Sequence, residues 1–98
     1  MSYVDFLMLW CVSLKEFLAA HEIEMRSGAT SDDRSKPSAW VTLSKGDREA
    51  ELLVWSTGEA EYAAGGASVD LVQLHYDFAS PADMTGVLAQ VLRAVSNG

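Results

Sequence analysis

The sequence predicts an α+β fold: a helix, a four-stranded antiparallel meander and a second helix, with both helices on one sheet face. Three observations predict it. Residues 3–24 contain neither Gly nor Pro and repeat apolar groups at helical spacing. Residues 38–78 alternate apolar and polar side chains in short runs divided by turn residues. Residues 84–95 return to helical spacing. The chain has 98 residues, 49% of them hydrophobic and 21% charged, which suits one globular domain spanning 1–98 with a single modest core.

In the first helix Ser2 is the N-cap and Asp5 lies in the first turn, where a carboxylate suits the helix dipole. Tyr3, Phe6, Leu7, Trp10, Leu14, Phe17, Leu18 and His21 form the stripe, and Val4, Met8, Cys11 and Val12 widen it. A helix apolar on most sides is sandwiched between elements or partly covered by a second chain. Residues 26–37, RSGATSDDRSKP, read as a mobile polar loop. Strands are expected at 38–44, 49–55, 59–64 and 69–78, with residues 65–68 as a flexible connector. Gly46 takes the first central position of a two-residue type II′ turn. Ser56-Thr57-Gly58 forms a three-residue loop with Gly58 left-handed. Ser80-Pro81-Ala82-Asp83 starts the last helix as a capping box with Pro at the first position. Met84, Val87, Leu88, Val91, Leu92 and Val95 form its apolar stripe.

The turns determine which residues share a face. A Gly46-Asp47 loop sets Leu43 opposite Ala50, Val41 opposite Leu52 and Ala39 opposite Val54. It sets Trp40 opposite Leu53 and Thr42 opposite Glu51 on the other face. The three-residue loop then opposes Val54 to Ala60 and Leu52 to Tyr62, while Trp55 meets Glu59 and Leu53 meets Glu61. A two-residue loop would instead place Glu61 on the helix-covered face, where an unpaired carboxylate is costly. The helix-free face therefore carries Trp40, Leu53 and Trp55, ringed by Glu49, Glu51, Glu59 and Glu61, with Leu71, Gln73, His75 and Asp77 from the last strand. Tryptophan is enriched among interface hot spots, and a contiguous apolar patch on a small domain marks a binding surface. The competing readings are that Trp40 and Trp55 are covered by the 26–37 loop or by the N-terminal helix, or that they pack on each other and on long side chains as a stiffening ladder.

Fourteen acids against seven bases give a net charge of −7 and a pI near 4.5. That composition disfavours nucleic acid and anionic membrane as partners, and favours a protein with a basic surface. The single cysteine, Cys11, allows no internal disulfide and fits a reducing cytoplasm. The apolar start MSYVDFLMLWCVSL has no basic opening, carries Asp5 and is too short to span a bilayer before Lys15. Catalytic equipment is not expected. His21-Glu22-Ile23-Glu24 lacks metal-site spacing, His75 and Asp77 lack a nucleophile, and Gly65-Gly66 lacks phosphate-loop context. No cofactor or metal is implied.

The run VTLSKGDREAELLVWSTGEAEY (41–62) resembles the sheet of the bacterial TriTu immunity proteins, most specifically at Val54-Trp55-Ser56-Thr57-Gly58-Glu59. The resemblance covers about residues 38–95. It implies a non-enzymatic cytoplasmic antidote to a toxin that ADP-ribosylates elongation factor Tu. The site itself follows from the register: Trp40, Leu53 and Trp55 as anchors, with Glu51, Glu59, Glu61 and His75 around them. The alternative is a small acidic secretion chaperone, dimeric through the apolar first helix.

Overall fold

The computed structural model describes residues 1–30, 36–67 and 69–96. Helix α1 (Tyr3–Ala20) is followed by β1 (Glu24–Thr30), β2 (Ser38–Lys45), β3 (Arg48–Trp55), β4 (Glu59–Gly66) and β5 (Val69–Asp77), then a 3₁₀ turn (Pro81–Asp83) and α2 (Met84–Ser96). The strands form one antiparallel sheet in the order β1-β2-β3-β4-β5.

The meander therefore has five strands rather than four: β1 takes in Glu24, expected at the end of the helix, and residues 26–30, expected as the start of the loop. Of its residues Thr30 favours a strand, whereas Glu24, Gly28 and Ala29 do not. Tertiary context supplies what propensity lacks. Met25, Ser27 and Ala29 pair with Leu43, Val41 and Ala39 on the helix side, where α1 packs close. On the other side the Trp40 indole lies over Gly28, so close that an added Cβ would sit 3.0 Å from Nε1. Residues 31–35 of the expected loop lie outside the described residues, as do Ser68 of the connector and the terminal 97–98. Gly65 and Gly66 extend β4 rather than forming part of the connector.

Helix α1 begins as its sequence indicates, with the Asp5 N–H donating to Ser2 Oγ at 3.0 Å. It ends at Ala20, earlier than the Gly- and Pro-free run suggests. The chain turns over in a Schellman motif. The Ile23 N–H donates to the Leu18 carbonyl at 2.9 Å and the Glu22 N–H to that of Ala19 at 3.1 Å. Glu22 takes φ 60°, and Leu18 and Ile23 are both buried, giving the apolar contact that accompanies this cap. The buried side of α1 is Leu7, Cys11 and Leu18; Phe17 and His21, expected in the stripe, are exposed and pack on each other with centroids 4.3 Å apart. Pro81–Asp83 opens α2, with the Asp83 carboxylate accepting from the Ala79 and Ser80 N–H groups at 3.0 and 3.1 Å.

One cluster joins both helices to a single sheet face. Leu7 and Leu18 of α1 and Met84, Leu88 and Val91 of α2 meet Val41, Leu43, Leu52 and Val54, all essentially without solvent contact. Each such side chain contributes roughly 1.5–3 kcal/mol of transfer free energy, so this layer outweighs the weak strand preference of β1. Helix α1 covers β1, β2 and part of β3; α2 covers β2, β3 and β4. The opposite face carries no helix.

The candidate functional site is the open sheet face

The register expected from the two turns is the register observed. Leu43 opposes Ala50, Ala39 opposes Val54, Trp40 opposes Leu53, Val54 opposes Ala60 and Leu53 opposes Glu61. Gly46 has φ 61° and Asp47 is not left-handed, as a type II′ turn requires. Gly58 has φ 96°, and its N–H donates to the Trp55 carbonyl at 2.9 Å, closing the three-residue loop.

Four rows of side chains cross the open face. The first runs Thr30, Ser38, Trp55, then Glu59 and Asp77 beyond the loop. The second runs Gly28, Trp40, Leu53, Glu61, His75. The third runs Arg26, Thr42, Glu51, Ala63, Gln73 and the fourth begins Glu24, Ser44, Glu49, Gly65. All seven residues singled out from the sequence share this face. Trp40, Leu53 and Trp55 are half-buried and form the apolar centre, while Glu51, Glu61 and His75 are exposed around it. Beside that centre a shallow depression of about 470 Å³ is lined by Asp47, Glu49, Glu51, Ala63, Gly65 and Leu71.

The acids are partly engaged. Glu59 pairs with Lys36 Nζ at 3.0 Å, and this lysine, which precedes β2, holds the Glu59 carboxyl below its usual range. Glu51 accepts from the Thr42 hydroxyl at 3.3 Å. His75 lies between two carboxylates, Nδ1 at 2.7 Å from Glu61 and Nε2 at 3.1 Å from Asp77. Both ring nitrogens face acceptors, so the doubly protonated ring satisfies the site best. The hydrogen bond to Glu61, then that to Asp77, raises the His75 pKa above its ordinary 6.5. The contribution of this pair to stability is complete below pH 6.5 and disappears as pH rises through the folded-state value. The expected result is a His75 NMR titration midpoint above 6.5 that Glu61→Gln lowers more than Asp77→Asn does. A midpoint indifferent to Glu61→Gln would show that the short contact carries no weight in solution.

Sequence reasoning misses Arg26 and Gly28, because residues 26–30 have the composition of a polar loop, and Lys36, because only the fold brings it to Glu59. The alternation of Met25 and Ala29 with Arg26 and Gly28 was a faint signal for β1.

Chemically the face offers recognition. Among the described residues no group of three or more His, Cys, Asp or Glu could hold a metal ion, and no helix is long and apolar enough to cross a membrane. Cys11 sits at the α1–sheet contact with its thiol pKa raised by burial.

Helices on one side and an acid-bearing sheet face on the other define a small α+β domain in which, among the described residues, no helix covers the second face. The family model described as Immunity protein TriTu matches residues 5–94, and the chain belongs to that family. The match takes in most of α1 and all of β1 as well as residues 38–94 of the region that carries the resemblance. Immunity proteins neutralise a cognate toxin and are generally non-catalytic. Comparison with curated proteins and with solved structures gives no match.

Proposed function

We propose that this protein binds and occludes a cognate bacterial ADP-ribosyltransferase toxin in the cytoplasm, through the open face carrying Trp40, Leu53 and Trp55. Family membership supports the neutralising role. One observation supports the face: three half-buried apolar side chains stand together on the side of the sheet that neither helix covers, beside carboxylates. The net charge of −7 draws a basic surface toward it. The indole rings then seat in the toxin's substrate or cofactor cleft, and the depression lined by Asp47, Glu49 and Glu51 accepts a Lys or Arg whose stem lies along Leu71 and Ala63. Neutralisation is steric and needs no chemistry from this chain.

The test is co-expression of the toxin with a Trp55→Ala, Glu59→Lys variant. Both positions are at least partly solvent-exposed on the helix-free face, so the circular dichroism spectrum and thermal transition should stay near wild type. Protection of toxin-expressing cells should be lost. Undiminished protection by a folded variant would remove this face from the mechanism.

A further inference from the structure

The sheet has two edges, and they are finished differently. Strand β1 is short, contains Gly28 and the charged Glu24 and Arg26, and is covered by α1 on its helix side. Strand β5 has nine residues and no Lys, Arg or Pro, and α2 touches it at Tyr76, whose hydroxyl donates to Gln90 Oε1 at 3.4 Å. Its middle exposes large apolar groups on both faces: Leu71 at 66%, Val72 at 43% and Leu74 at 45% of full accessibility. Among the described residues its strand neighbour is β4 alone, so about half its backbone N–H and C=O groups point outward without a described strand partner. Natural proteins blunt such edges with charge, Pro, bulges or a covering element; β5 has an irregularity at Asp70–Leu71 opposite Gly65, but from Val72 to Asp77 its ladder is regular, and Val72–Leu74 carries neither charge nor Pro.

The order of residues on β5 says what fits there. In an antiparallel pair of two identical strands the two-fold axis must pass through a residue or its equivalent, since opposed residues share a face. An axis at Gln73, the midpoint of Val69–Asp77, uses the whole strand. It sets Val72 opposite the second copy's Leu74, twice, so the exposed apolar groups of the helix side meet one another. It sets Leu71 opposite His75 and Asp70 opposite Tyr76, and no carboxylate faces a carboxylate. Axes at Val72 or Leu74 shorten the pairing and oppose Leu74 to Asp70 or Leu71 to Asp77.

We propose that β5 is an interface with a second copy of this chain, pairing antiparallel about Gln73 to give a continuous ten-stranded sheet. The pairing lies in the plane of the sheet, so both open faces remain accessible side by side, and it stands independently of the toxin-binding reading.

Sedimentation velocity on the full chain over a concentration series tests this. The mass should rise from 10.6 kDa toward twice that value, and the Leu71→Lys, Leu74→Lys double variant should stay at 10.6 kDa with an unchanged circular dichroism spectrum. Gln73→Cys lies on the axis, with paired Cα atoms about 4.5–5.5 Å apart, and should form a covalent dimer on mild oxidation. Ala63→Cys, one strand in from the edge, would be roughly 14 Å from its mate and should not. A wild-type chain that remains monomeric at high concentration overturns the proposal, and β5 amides then protected only by added toxin would assign the edge to the toxin. A dimer that survives the two lysines but is abolished by Val12→Lys overturns it in favour of a seam on α1. Failure of Gln73→Cys to cross-link within a wild-type-like dimer overturns the pairing about Gln73.

Discussion

Gly58→Ala should lower the unfolding free energy by about 2–4 kcal/mol, which for a chain of this size is a fall in Tm of roughly 8 °C or more. Two costs combine. The residue has φ 96°, a conformation that side chains with a Cβ rarely adopt. There is also no space: an added Cβ would lie 2.7 Å from the Phe78 carbonyl oxygen and 3.0 Å from the Tyr3 ring and hydroxyl. Neither neighbour can withdraw freely. The Phe78 N–H donates to the Gly58 carbonyl at 2.9 Å, and the Tyr3 hydroxyl donates to the Phe78 carbonyl at 2.9 Å. Gly58 thus joins the β3–β4 loop to the end of β5 and the start of α1. Gly46→Ala is the control, since Gly46 has φ 61° and nothing within 4 Å of the added Cβ. It should cost only the conformational part, about 1–2 kcal/mol. Urea unfolding of both variants separates the two costs, and equal losses would show that the close approach at Gly58 has no energetic weight.

The same glycine explains why so much of the site was legible before the structure. Pairing across β2, β3 and β4 follows from two turns whose residues leave little choice, and parity then carries every assignment outward, so Trp40, Leu53, Trp55 and Glu61 could be placed on one face by counting. The α2 segment was equally readable, because Ser80, Pro81 and Asp83 mark its start and its stripe has one period. What could not be read depends on contacts distant in sequence. β1 is a strand because α1 and Trp40 enclose it, and neither enclosure is visible in the letters RSGAT. The end of α1 at Ala20 depends on Ile23 finding the core, since Glu22 is an unusual residue for the left-handed position. The Lys36–Glu59 pair spans 23 residues and exists only once the sheet has formed. Exposure of Val72 and Leu74 was unexpected for another reason: their alternation marks a core face correctly, but α2 is centred on β3 and, reaching β5 at Tyr76, leaves these two side chains largely uncovered.

If the open face binds the toxin as proposed, Trp55→Ala and Glu59→Lys should weaken binding by different routes, and their kinetics separate the two roles proposed for it. A half-buried tryptophan at the centre of an interface is a hot spot, whose truncation costs 2 kcal/mol or more. That is about 30-fold in Kd, and it should be found in a faster dissociation rate, because association varies little among variants of one interface. Glu59→Lys acts earlier. It removes a carboxylate from the rim, places a second cation beside Lys36 and makes the net charge of −7 less negative by two. Association should slow, and its dependence on salt should flatten, with dissociation changed less. Glu16→Lys supplies the same change in net charge from an exposed position on α1, outside the sheet. If the local rim steers the toxin, Glu59→Lys slows association more than Glu16→Lys does, most clearly at low ionic strength. Equal slowing by the two would mean that only the overall charge matters, and the four acids around Trp55 and Leu53 would lose their assigned part in recognition.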